Sequence, residues 1–362
     1  MVWAGGMKTA FRERLLGGLG IHRVVSPGGC LPQAAERLDP DPSRRSPDEI
    51  HVAVSTLNID SASMRQIEEA EAGDATRVGE HILGIVRERG KMQNPVTGSG
   101  GMLLGQVTWI GERAALPDGA AGRGGIAVGD RVATLVSLTL TPLTIDRIRA
   151  VRLATHQVDI DGNAIVFSSG ILARMPDDFP EPLALALFDV AGAAPQVTRL
   201  AGPVGRGGSV LVLGVGGKSG LLAATAARRA GASVVGVEAH PGAAAAARAL
   251  GFPVVEVSAT DPVACAQAAL DAGGVEGFDL VVSCVNAPGA ELAAILATRE
   301  RGKVYFFSMA TSFARAALGA EGIARDVDML IGNGYCAGHA EATLDLVRAE
   351  PALRAELARR FA

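Results

Sequence analysis

Residues Leu211-Val212-Leu213-Gly214-Val215-Gly216-Gly217-Lys218-Ser219-Gly220 (LVLGVGGKSG) join an unbroken apolar run, begun at Ser209-Val210, to an alanine-rich segment from Ser219 to Arg229. A strand buried on both faces of a parallel sheet reads as such a run, and the alanine-rich segment reads as the helix after it. The glycines at the junction divide the work. Gly214 permits the tight turn, Gly217 lets the backbone approach a pyrophosphate, and Gly220 lets the helix pack close to the sheet. A pyrophosphate at the helix N-terminus meets free N–H groups and the positive end of the dipole. Gly216 is additional to this G-x-x-G-x-x-G spacing. Gly217-Lys218-Ser219 also resembles the end of a nucleoside-triphosphate loop, but that loop needs a glycine where Val212 stands inside the strand. A glycine turn that binds nothing is the blander alternative; three glycines so placed are costly without a purpose.

Working outward, Ser233-Val234-Val235-Gly236-Val237 is the next strand and Glu238 ends it, 24 residues after Gly214 and 18 after Gly220. An acid there accepts hydrogen bonds from the adenosine ribose hydroxyls and repels a 2′-phosphate, which favours NAD, with NADP the alternative. A solvated glutamate is the competing reading, and His240 beside it softens the preference. Further strands follow at Pro253–Val257, Phe278–Ser283, Lys303–Phe307 and Asp326–Ile331, with helices over Gly242–Leu250 and Pro262–Asp271. This alternation implies βαβ crossovers and a doubly wound Rossmann sheet. Ligands in such sheets bind beyond the carboxyl ends of strands, so Asn286, after the fourth strand, and Ser308, after the fifth, are candidates to line the nicotinamide ribose.

The pattern before this region is different. From about Val24 to Phe179 it is strand-like: Ile50–Val54 alternates as a half-buried strand, Met102–Ile110 is another, and Gly129–Val136 gives a turn and a buried strand. A helix spans roughly Ala62–Arg89 with a break near Gly73. The segment from Asp118 to Gly125 is a loop by composition. The expected organisation is therefore α/β, with a β-rich catalytic and substrate domain over 1–182 and a Rossmann domain over 183–337. One amphipathic helix, Ala340–Phe361, follows and is allowed to pack back on the first domain.

Bulk properties narrow the function. Two domains suit 362 residues. A net charge of -4 and 4% aromatic residues argue against nucleic acid. No apolar run approaches the ~18 residues of a membrane span, and the first twenty residues read as a loose or helical extension of a cytoplasmic protein. Cys30, Cys265, Cys284 and Cys336 are isolated thiols without metal-ligand spacing.

A β-rich domain with a Gly129-Asp130-Arg131-Val132 turn, placed before a dinucleotide domain, resembles the medium-chain dehydrogenase/reductase superfamily, which implies a GroES-like first domain. Three segments resemble something narrower: Thr56–Ser63 (TLNIDSAS), Arg89–Gly101 (RGKMQNPVTGSGG) and Leu187–Ala193 (LFDVAGA). With GKSGLL at the phosphate loop, they are similar to the L-erythro-3,5-diaminohexanoate dehydrogenase family of lysine fermentation. The resemblance implies oxidative removal of the 3-amino group of a small diamino acid, giving 5-amino-3-oxohexanoate, NAD(P)H and ammonia. It also implies no zinc. Where zinc alcohol dehydrogenases place a cysteine ligand this chain has Asp60, and Ser99-Gly100-Gly101 stands where they carry a His–Glu pair. The chemistry agrees. Hydride loss from an amine develops positive charge, which a carboxylate stabilises and a metal cation opposes.

Asp60 is the first choice for that carboxylate, with a helix N-cap as the competing role. Lys91 is a candidate for the substrate carboxylate or for proton transfer, against a solvated lysine at a helix end. Asn94, Thr97 and Ser99 offer neutral hydrogen bonds in a glycine-rich loop, against a plain turn. Asp189 is a candidate for the second ammonium group, against a lone solvated acid. A zinc-free quinone or enoyl reductase is the rival enzyme, and a non-catalytic NAD(P) sensor the rival of another class. The strand near Asp326–Ile331 resembles the edge strand through which superfamily members dimerise, so a homodimer is expected.

Overall fold

The computed structural model describes residues 17–114, 125–205, 207–332 and 334–361. Most of the expected N-terminal extension, and the composition-predicted loop up to its last residue, lie outside them. The chain forms two units, Met1–Asp177 and Asp178–Ala362.

The first unit begins with a small antiparallel pair, β1 (Val24–Ser26) and β2 (Arg37–Leu38). Its main sheet uses β3 (Glu49–Ile59), β4 (Gly101–Ile110), β5 (Arg131–Thr134), β6 (Leu143–Arg152), β7 (Gln157–Phe167) and β8 (Leu172–Arg174). The order is β6-β7-β3-β4-β5-β8, antiparallel throughout. Two helices lie between β3 and β4: α1 (Ser61–Ala70) and α2 (Ala75–Arg89). They separate at Gly73, whose φ of +75° suits glycine, and Asp74 caps α2 by accepting from the Thr76 and Arg77 N–H groups. Met64, Ile67, Val78, Ile82 and Val86 pack on Val52, Leu57, Ile59 and Leu103 to form the core.

The expectation of a half-buried Ile50–Val54 strand fails at His51, which is buried, as is Glu49 before it. The reason is an ion cluster. Glu49 accepts from Arg23 Nε at 2.7 Å and Nη2 at 2.9 Å, while the His22 and His51 Nε2 atoms lie 2.7 and 3.2 Å from its carboxylate. At the other end of β3, Asn58 pairs with Met102 and Ile59 with Gly101. That register sets Asp60 beside Gly100.

The second unit holds a six-stranded parallel sheet: β9 (Ser209–Leu213), β10 (Ser233–Glu238), β11 (Val254–Glu256), β12 (Phe278–Ser283), β13 (Thr298–Phe306) and β14 (Asp328–Ile331), in the order β11-β10-β9-β12-β13-β14. This is the doubly wound order, with its switch point between β9 and β12. The helices are α3 (Glu181–Phe188), α4 (Ala193–Ala201), α5 (Lys218–Arg229), α6 (Pro241–Ala249), α7 (Pro262–Gly273), α8 (Glu291–Ala297), α9 (Phe313–Gly322), α10 (His339–Ala349) and α11 (Pro351–Phe361).

The expected single tail helix is thus two. Pro351 has no N–H to continue the ladder and forces Glu350 out of helical geometry, to φ -125° and ψ 82°. The sequence allowed this tail a place on the first domain as far as residue 182. Its contacts include α3, α4 and the Ala191 O, which accepts from the Thr343 hydroxyl at 2.7 Å, and Asp178, which pairs with Arg348 at 2.7 Å. No helix of the described residues is long and apolar enough to cross a membrane.

Candidate functional site

In the first unit, the end of β3, the first turn of α1 and the loop before β4 converge on a polar corner. Asp60 precedes α1, yet its carboxylate does not cap that helix. Instead Oδ2 accepts from the Gly100 N–H at 3.1 Å. Gly100 fits there because a Cβ would stand 2.5 Å from Met92 O, and Gly101 takes φ +119°. Three hydroxyls gather beside it: Ser63 Oγ lies 2.6 Å from both Thr97 Oγ1 and Ser99 Oγ. Asn94 is buried; its Nδ2 donates to Gln66 Oε1 at 2.7 Å and its Oδ1 accepts from the Val96 N–H. Asn94 therefore shapes the loop, while Asp60 and Ser99 are partly exposed.

Ser63 is the member that the sequence did not single out, although it lies in the quoted TLNIDSAS segment. Its signal is spacing: it follows Asp60 by one helical turn, which puts both on one face.

Lys91 lies elsewhere. Its side chain is fully buried, and Nζ donates to Pro32 O at 2.8 Å and Gln33 O at 3.3 Å. Burial, and secondarily the nearby Arg89 charge, pull its pKa down to about 8. The carboxylate-binding role is not what this packing shows: the ammonium is turned inward onto backbone carbonyls. Nor is it the solvated lysine of the competing reading.

In the second unit, a cavity of about 470 Å³ lies at the carboxyl ends of β9, β10 and β12, lined by Gly214, Gly217, Glu238, His240, Thr260 and Asn286 among others. Gly214 turns at φ +74°. A Cβ on Gly220 would stand 2.1 Å from Gly214 O, whereas on Gly217 the nearest atom is 3.4 Å away. So Gly220 serves close packing and Gly217 leaves room for a ligand, as their spacing implied. Gly216, which seemed additional, is also required: its Cβ would meet Ala243 O at 2.4 Å.

Lys218, Ser219 and Gly220 open α5, where N–H groups lack intrahelical acceptors and favour an anion. Glu238 is 8% exposed; its Oε2 accepts from the Gly216 N–H at 3.1 Å and Oε1 from the His240 N–H at 3.2 Å. The residues thus fit a dinucleotide, with room at Gly217, donors on α5 and an acid at the end of β10. Cys284 also lines the cavity, and desolvation pushes its thiol up to about 12, which keeps it neutral.

Lys218 and Asp189, which the sequence assigned to different ligands, hold each other: Nζ is 2.7 Å from Oδ2. Ser308 lies two residues beyond β13, and its Oγ accepts from the Ala310 N–H at 3.1 Å. Among the described residues, no three His, Cys, Asp or Glu side chains are grouped to hold a metal.

Against this geometry the comparisons are specific. Residues 22–176 match the model of the L-erythro-3,5-diaminohexanoate dehydrogenase N-terminal domain, and residues 210–318 match the TrkA-N domain. L-erythro-3,5-diaminohexanoate dehydrogenases of Acetoanaerobium sticklandii and Fusobacterium nucleatum are each 46% identical over 340 residues, 92% of this chain and 96% of theirs. Solved structures share the fold at lower identity. A mycobacterial protein complexed with NADPH aligns with a TM-score of 0.57 at 18% identity, over 94% of this chain and 96% of its own. The CurK enoyl reductase aligns at 0.52 and 17%, over 88% of this chain and 80% of that one.

Proposed function

The chain belongs to the L-erythro-3,5-diaminohexanoate dehydrogenase family, and we propose that it oxidatively deaminates L-erythro-3,5-diaminohexanoate to 5-amino-3-oxohexanoate and ammonia with NAD(P). The observation that carries this reading is the Asp60 corner. The matched N-terminal segment builds a carboxylate oriented by a backbone N–H beside three hydroxyls. A bound nicotinamide supplies the hydride acceptor. The chain supplies the rest. The Asp60 carboxylate accepts a hydrogen bond from the reacting nitrogen, which first gives one proton to solvent so that its lone pair can drive hydride off C3. The still-charged carboxylate then favours the iminium, and water adds at that carbon and releases ammonia. Ser63, Thr97 and Ser99 offer hydrogen bonds to a zwitterion. A quinone or enoyl reductase acts on a neutral substrate and has no use for this acid.

Glu238 supports NAD as the preferred cofactor, since a buried carboxylate opposes a 2′-phosphate. The mycobacterial neighbour bound to NADPH keeps NADP as the alternative. A zinc-free mechanism is supported by the donor set at the corner, an aspartate, an amide and hydroxyls in place of thiolate and imidazole ligands. The partly exposed edge strand β14, with Ile331 68% exposed, supports a homodimer. The test is reduction of NAD by the purified protein with L-erythro-3,5-diaminohexanoate, beside lysine and β-alanine. Turnover with the diamine alone is expected; no turnover with it sinks the substrate assignment.

A further inference from the structure

The phosphate loop is gripped from two sides by charged side chains, and one belongs to the last turn of α11. The Gly216 N–H donates to Glu238, and the Gly216 carbonyl accepts from Arg360 Nη1 at 2.7 Å. Arg360 is aimed, because its Nε donates to Glu356 Oε1 at 2.7 Å one turn earlier. The next residue, Phe361, sets its ring 5.5 Å from Lys218 Nζ. At the far end of α5, Arg229 pairs with Glu350, just before α11, at 3.0 Å. Helix α11 therefore lies antiparallel to α5 and touches it at both ends.

We propose that Arg360 is a positioning residue of the dinucleotide site. It fixes the peptide joining Gly216 to Gly217, and through that peptide it aims the first N–H groups of α5, so that α11 sets cofactor affinity. The argument rests on the dinucleotide reading of the loop. The coupling is reciprocal: if α11 tightens the loop on the cofactor, the cofactor tightens α11 by the same factor.

The experiment is NADH titration by fluorescence on full-length wild type, Arg360→Ala and Arg360→Lys. One charge-assisted hydrogen bond lost at the loop predicts about tenfold weaker NADH binding in Arg360→Ala, with partial recovery in Arg360→Lys. The KM for NAD rises in parallel while kcat at saturating NAD stays near wild type. In the wild type, hydrogen exchange over 352–361 slows when NADH is added. If Arg360→Ala does not fold, Arg360→Gln, which keeps a donor of shorter reach, is titrated instead. Wild-type affinity in the variant, or exchange over 352–361 indifferent to NADH, overturns the proposal. Failure of the wild type to bind either NADH or NADPH overturns the dinucleotide reading beneath it.

Discussion

Lys91 yields a prediction with a definite sign. Its ammonium is enclosed, with two backbone carbonyls as acceptors, and its pKa falls from 10.5 to about 8. A folded-state pKa below the unfolded value means that, between those limits, the unfolded chain holds a proton that the folded chain has lost. Stability contributed by this group therefore rises with pH through the window and is lowest below about pH 8. Taking both pKa values, the gain from pH 7 to pH 10 is about 2–3 kcal/mol. The perturbation is Lys91→Met, which removes the titration while keeping most of the volume. Urea unfolding of both proteins at pH 7, 8, 9 and 10 gives the difference in stability at each pH, and the common titrations cancel. Wild type should gain on the variant by about 2–3 kcal/mol across the series. A difference that stays flat would refute the buried-ammonium account and return Lys91 to the list of substrate-facing residues.

Three further outcomes follow from the same structure. Asp60→Asn keeps an acceptor for Gly100 but loses the charge, so kcat/KM for the diamine should fall by about 10²–10⁴ while NADH affinity is unchanged; equal activity would remove Asp60 from the chemistry. Glu238→Gln should lower NAD affinity and raise the NADP to NAD ratio of kcat/KM, measured in steady state with each cofactor. An unchanged ratio would show that this acid does not read the ribose. Glu49→Gln removes the closer of the buried Arg23 guanidinium's two carboxylates, leaving Asp39 at 3.8 Å, and calorimetry should show a loss of about 3 kcal/mol, whereas Glu49→Leu with Arg23→Met should recover much of it.

What could be read in the sequence was contiguous. LVLGVGGKSG announces its strand, turn and helix within ten residues, because a parallel strand buried on both faces and a glycine turn are local constraints. The break at Gly73 and the six parallel strands were legible for the same reason. What could not be read depends on partners far along the chain. Lys91 is buried by carbonyls 58 and 59 residues away, Glu49 by His22 and Arg23 across 27 and 26 residues, and Arg360 finds Gly216 across 144. Each of these charges looks like a solvated side chain until the fold supplies its partner. The split at Pro351 was local and legible in principle; helical periodicity on both sides masked a residue that cannot continue the ladder.

The three carboxylates at strand ends show how the electrostatics separate fold from function. Glu49 opens β3 and is neutralised from within by Arg23, so its charge is committed to the first unit and has none left for a ligand. Its acidity follows: despite burial, the hydrogen bonds from His22, His51 and Arg23 hold its carboxyl far below the usual range. Asp60, at the opposite end of the same strand, and Glu238, at the end of β10, are oriented by backbone N–H groups of glycine loops. A backbone N–H orients a carboxylate without bringing a counter-charge, unlike the Arg23 guanidinium at Glu49. On the proposed function, the first acid would meet the substrate ammonium and the second the ribose hydroxyls rather than a phosphate. This contrast explains why two acids with ordinary sequence surroundings are the better candidates for chemistry. Conversely, the most heavily bonded acid of the first unit is a structural strut. Substituting Glu49 should move stability and leave the KM values of the folded fraction alone, whereas substituting Asp60 or Glu238 should do the reverse.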